Sequence, residues 1–186
     1  MLMVMVLGVA LWWGAHLWKR VSPDTREPWG EKGKGIVTAL LLLSIVLMVL
    51  GYRGANVVNV WYPPGFLVHI INNLLMLLAF YLYAASGMKT RITRAIRHPQ
   101  LTGFKAWAVA HLLVNGDLAS ILLFGGLLAW AVVTVIRINR AVPGWTPPPP
   151  APMGKEIGAV VGAVVVMGVV AGIHLWLGVN PFGARG

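Results

Sequence analysis

Five histidines, His16, His69, His98, His111 and His174, carry most of the chemistry open to this chain. Cysteine is absent, which removes thiolate catalysis, disulfides and Cys-based metal sites. No nucleophile with a base at convincing spacing occurs, nor a pair of carboxylates, nor a glycine-rich phosphate loop in a strand-turn-helix context. An imidazole bridges two roles: it hydrogen-bonds through one nitrogen and ligates a metal through the other. His111 is the centre of interest. It lies in RHPQLTGFKAWAVAHLLVNGD, residues 97–117, inside an apolar run, where an unpartnered polar ring costs several kcal/mol and so marks a functional site by default.

The composition says what surrounds these rings. Of 186 residues 58% are hydrophobic and 11% charged, with a mean hydropathy of +0.77, which places the chain in a membrane. About 20 apolar residues cross the ~30 Å hydrocarbon layer. Runs near that length fall at Leu2 to Trp18, Ile36 to Tyr52, Gly65 to Ala85, Leu101 to Asn115, Leu118 to Ile136 and Ile157 to Val179. The expectation is an all-α, polytopic membrane bundle of six transmembrane helices, built as one domain over residues 1–186. The fourth run is short, and Asn115-Gly116-Asp117 links it tightly to the fifth, with Gly116 at a bend and Asp117 as helix cap.

A net charge of +10 raises nucleic acid as a partner, but position explains it better. Twelve of the fifteen Lys and Arg lie in the loops 19–35, 86–100 and 137–156, whereas the alternate side holds Arg53 and Arg185, and Lys105 sits within the fourth run. The positive-inside rule then puts the basic loops in the cytoplasm and both termini outside, in the periplasm of a bacterial inner membrane, with no role for nucleic acid. The first 18 residues have no positive n-region, and Lys19 and Arg20 follow the apolar stretch, so they read as a retained span. Thr146 to Pro152, TPPPPAP, is a stiff polyproline spacer. The last run carries Gly158-x-x-x-Gly162 and Gly168-x-x-x-Gly172, suited to close helix packing in the bundle and, second, to a homodimer.

Depth sorts the histidines. Counted from the outer ends at about 1.5 Å per residue, His69 after Pro63-Pro64, His111 before the Asn115 turn and His174 before Pro181 come out roughly 6–10 Å below the surface. His16 falls near the inner side. A zinc site is a weak reading, because no carboxylate lies near the three. Haem fits better: imidazoles from different helices take its axial positions, and Leu, Phe, Trp and Met bury the macrocycle. The plain alternative for each ring is an interhelical hydrogen bond. Asn72, Asn73 and Met76 share a helical stripe with His69, and the two amides are placed to bond its second nitrogen or a porphyrin propionate, with interhelical bonding as their commoner role. His98, between Arg97 and Pro99, suits anchoring or anion contact, and Lys105 snorkels to the basic side.

The stretches LWWGAHLWKR, GFLVHIINNLLML, IRHPQLTGFKAWAVAHLLVNGDLASILLFGG, INR, PGWTPPPP and AGIHLWLGVNPF together resemble the NnrU family of bacterial integral membrane proteins over nearly the whole chain. The resemblance implies an association with nitrite and nitric oxide metabolism in denitrifying bacteria. A relative of that family, 15-cis-zeta-carotene isomerase, uses haem b, and its axial histidines match His111 and His16. Where that isomerase has a cysteine three residues before the fourth-span histidine, this chain has Ala108, so redox-linked ligand exchange would need another residue. The depth count favours His69 or His174 as the partner of His111, with His69 ranked first. Three functions stay open: a haem b protein of nitrogen-oxide metabolism, a haem-dependent carotenoid cis-trans isomerase, and a non-catalytic accessory subunit docked on a respiratory reductase or another denitrification membrane protein.

The cysteine-free background makes the topology testable. In intact spheroplasts, a membrane-impermeant maleimide is expected to label single cysteines at Asn56 and Asn180 but not at Thr25 or Thr146; the reverse pattern would invert the orientation.

Overall fold

The computed structural model describes residues 1–63 and 65–182. Pro64, used in the depth count, and Arg185, used in the charge count, lie outside the described residues. The architecture is helical: α1 (Leu2–Val21), α2 (Pro23–Arg26), α3 (Gly30–Arg53), α4 (Gly65–Met88), α5 (Pro99–Val114), α6 (Leu118–Ala141) and α7 (Met153–Trp176), with short 3-10 turns at Glu27–Trp29 and Arg91–Arg94. Among the described residues pairing of β type is limited to an isolated bridge between Asn59 and Asp117.

Among the described residues five segments are long and apolar enough to cross a membrane: Leu2–Val21, Pro23–Arg53, Gly65–Met88, Leu118–Ala141 and Met153–Trp176. The expected fourth span differs. It forms α5, but with 16 residues it rises only about 24 Å, short of the hydrocarbon thickness. Pro99 at its first turn and the Asn115-Gly116-Asp117 link bound it at both ends. The outward surfaces of the long helices carry Leu42, Val49, Leu74, Val160 and Val165, each about half exposed, as expected of side chains that meet lipid. This is a multi-pass membrane protein.

The residues divide into two compact units. The first comprises Met1–Trp61 and Gly116–Arg137, the second Tyr62–Asn115 and Ile138–Gly186. In the first, α1 packs on α3 through small residues, because a side chain on Gly51 would collide with the backbone of Met5, and one on Gly8 would lie 2.8 Å from Met48. Trp13 Nε1 donates to the Gly126 carbonyl (3.0 Å), joining α1 to α6. Asp117 caps α6 as expected, accepting from the Ser120 amide (2.9 Å). Its other oxygen accepts from the Ser120 hydroxyl (2.6 Å), so the Tyr52 hydroxyl must be the donor in its 2.8 Å bond to Ser120. Gly116 is buried, and its φ is not positive: what it supplies is space, since any side chain would strike the Trp61 carbonyl.

In the second unit α4 is central, packed against both α5 and α7. Its buried residues His69, Asn72, Ala79, Leu82 and Ala85 follow the helical repeat along one stripe. Gly103 of α5 lets the two helices meet, because a Cβ there would sit 2.8 Å from the Ala79 carbonyl oxygen. On α7 the closest packing is made by Ala159, Ala163 and Ala171, all buried. Of the glycine motifs only Gly158 has a neighbour, Met88, whereas Gly162, Gly168 and Gly172 face open space among the described residues. The helix is rotated so that the alanines, four and eight residues apart, and not the glycines, form the contact stripe. Residues Thr146 to Ala151 are non-helical, and Pro152 has the polyproline dihedrals φ −66° and ψ 153°.

Replacing Gly103 by Val forces α4 and α5 apart. The expected loss is about 1–3 kcal/mol, read as a lowered unfolding temperature of the detergent-solubilised protein; an unchanged temperature would mean that this crossing is not tight.

Candidate functional site

Three of the histidines share one local geometry. Nδ1 of His16 lies 3.1 Å from the Trp12 carbonyl, Nδ1 of His111 2.9 Å from that of Trp107, and Nδ1 of His174 2.8 Å from that of Val170. Each acceptor is four residues earlier on the same helix, where the side chain of a helical residue leans back toward the N-terminus. A carbonyl only accepts, so Nδ1 carries the hydrogen, and the neutral ring keeps its lone pair on Nε2. That is the tautomer and orientation typical of a histidine that ligates a metal through Nε2.

His98 is the reverse. Its Nε2 lies 2.8 Å from Asn139 Oδ1, so Nε2 is the donor, and the ring serves as a tie to the end of α6 while its residue caps α5. His69 is the most buried of the five, on the inner stripe of α4. The amide group expected to bond it is engaged elsewhere, as Asn72 Nδ2 donates to Asn73 Oδ1 at 3.2 Å.

The second unit holds His69, His98, His111 and His174 together. His111 on α5 and His174 on α7 belong to this same unit. The Trp107 ring packs against His111 with centroids 5.0 Å apart and restricts its rotation. Ala108 and Ala110, beside His111 on α5, are fully buried. His16 belongs to the first unit. It is wedged between Trp12 and Trp130, with centroid separations of 4.2 and 4.5 Å. One turn after Trp130, the Thr134 hydroxyl is buried with no hydrogen-bond partner among the described residues.

A family model, described as NnrU protein, matches residues 4–181. The chain belongs to the NnrU family. Neither the curated proteins nor the solved structures give a match.

Within this NnrU-family chain, the tryptophans around the histidines are the residues that sequence reasoning missed. The signal was present. Trp-x-x-Ala-His occurs at residues 12–16 and again at 107–111, and in both copies the alanine is buried and the tryptophan lies one turn before the histidine. Donor chemistry is compatible with haem iron: His111 and His174 present Nε2 lone pairs on two helices of one unit, in apolar surroundings. Groups of three or more His, Asp or Glu able to hold a metal ion are absent among the described residues, which weakens a carboxylate-supported metal site.

The ring tautomers are directly observable. In haem-free protein at alkaline pH, ring nitrogen NMR is expected to find Nδ1 protonated in His16, His111 and His174, and Nε2 protonated in His98. Nε2 protonation at His111 would remove it as an Nε2 ligand.

Proposed function

We propose that this NnrU-family protein binds haem b within the second unit, with His111 and His174 as the axial ligands, and serves nitrite and nitric oxide metabolism as a redox or ligand-binding membrane protein. The observation that carries this reading is that both rings, on two helices of one unit, have their Nδ1 hydrogen committed to a carbonyl of their own helix. Two neutral imidazoles satisfy ferric or ferrous iron without adding charge to the membrane interior. His174 ranks ahead of His69 on this geometry, and His16 is retained as the ligand that the family resemblance implies.

The residues' own parts follow from the geometry. The carbonyls of Trp107 and Val170 hold the rings in one tautomer, and being neutral acceptors they leave the imidazoles neutral, unlike a carboxylate partner, which would push them toward imidazolate. The Trp107 ring limits the rotation of His111. Buried Ala108 and Ala110 keep water from its flank. When bound, haem b would supply one-electron redox chemistry, and a small diatomic ligand would reach the iron only by displacing one of the two imidazoles. Carotenoid isomerisation is the less favoured reading, because the buried side chain at position 108 is a methyl group that offers no exchangeable ligand.

In the same reading α5 is the sixth span, shortened because Lys105 and the basic loop draw its inner end to the interface. Both termini face the periplasm of a bacterial inner membrane. The exposed Gly168 and Gly172 are the place on α7 where a reductase subunit, or a second copy of the chain, would dock most closely.

Protein purified after expression with sufficient haem supply is expected to show a low-spin b-type spectrum. Replacing His111 by Ala should remove the pigment or leave a few per cent of it, and replacing His174 by Ala should convert the remaining haem to high spin. His98→Ala should retain the wild-type spectrum. A colourless protein that also fails to take up added haemin would overturn the assignment; full low-spin haem in His174→Ala, lost instead in His69→Ala or His16→Ala, would move the second ligand there.

A further inference from the structure

On the basic face of the second unit the described residues set one carboxylate against five cations. Lys89, Arg91, Arg94, Arg140 and Lys155 are exposed there, and the carboxylate among them, Glu156, spends one oxygen on the backbone amide of Arg91 (2.7 Å). The ion pair found among the described residues, Lys34 with Glu31, is in the first unit. Five cations around one carboxylate require an outside anion to balance them.

This face is also built rather than loose. The Arg97 guanidinium donates to the Val142 carbonyl, His98 bonds Asn139, and the Thr93 hydroxyl donates to the Thr90 carbonyl at 2.7 Å. Met88 touches Gly158. These contacts draw the ends of α4, α5, α6 and α7 into one rim. Arg91 and Arg94 stand one turn apart in a 3-10 helix of three residues per turn, so their side chains project on the same side.

Below the rim the outer side of α7 carries two shallow apolar depressions that share Val160 and together make an open trough. Its upper part, about 270 Å³, is lined by Glu156, Ile157, Val160 and Val161. The lower part, about 340 Å³, shares Val160 and continues between Val164 and the α4 residues Leu74, Leu78 and Tyr81. From Glu156 to Val164 the helix rises about 12 Å, most of the ~15 Å acyl depth of one leaflet.

We propose that the rim and the trough together form a binding site for an anionic phospholipid, its phosphodiester held by Arg91, Arg94 and Lys155 and one acyl chain lying along α7 between Val160 and α4. Charge complementarity selects the headgroup, and the trough that starts among the same residues selects a lipid over a free phosphate. Phosphatidylglycerol is the simplest lipid with this chemistry. The site is independent of haem, since none of its residues takes part in the histidine geometry.

The test uses full-length protein in detergent, titrated with phosphatidylglycerol, with phosphatidylcholine of the same chains, and with inorganic phosphate. Bound lipid is counted by native mass spectrometry and followed by thermal shift. Phosphatidylglycerol is expected to remain bound and to raise the unfolding temperature, phosphatidylcholine to be lost, and phosphate at equal concentration to leave the bound lipid in place. The combined variant Arg91→Gln, Arg94→Gln, Lys155→Gln is expected to weaken phosphatidylglycerol binding about tenfold or more. Val160→Trp, at an exposed position, is expected to weaken it by filling the trough. Equal retention of phosphatidylcholine, displacement by phosphate, or undiminished binding in either variant would overturn the proposal, and the competition arms decide it even if a variant fails to fold.

Discussion

A histidine in hydrocarbon has two nitrogens to satisfy and no water to satisfy them with, and an α-helix can settle only one. The carbonyl four residues back accepts from Nδ1, as at His16, His111 and His174, and the ring's lone pair is thereby left on Nε2. In all three rings that asymmetry leaves Nε2 as the nitrogen with acceptor character. Had the helix satisfied Nε2 instead, as Asn139 does for His98, the same residues would be structural ties.

The packing serves this arrangement by keeping the helix contacts small. Gly103 against Ala79, and Ala159, Ala163 and Ala171 on the α7 face, allow α5 and α7 to lie close against α4. Close backbones hold the bulky rings of His111 and Trp107 in defined positions, because a helix that cannot slide cannot carry its side chains elsewhere. In the other unit, Gly8 and Gly51 do the same for α1 and α3, while the Asp117, Ser120 and Tyr52 chain ties the start of α6 to the end of α3.

The two ends of the second unit divide their chemistry. One presents imidazoles and half-buried aromatics, the other a rim of cations with one oxygen of its carboxylate already engaged. A membrane protein separates such functions readily, since the hydrocarbon between them is a poor solvent for charge, and each polar cluster must find its partner locally.

Much of this was legible from residue order alone. Apolar runs interrupted by basic loops identify the membrane helices, because desolvation of charge and the length of a span are properties of local composition. The cap at Asp117, the polyproline spacer and the apolar setting of His111 are likewise local. Helix rotation and neighbourhood were not. That alanines rather than glycines line the α7 contact, that Asn72 turns to Asn73, that α5 stops at 16 residues, and that His111 and His174 fall in one unit are decided by how side chains compete for the same space. The Trp-x-x-Ala-His pattern stood in plain view at both sites, but its meaning, a ring held by the carbonyl one turn behind it, emerges only when the helices are folded.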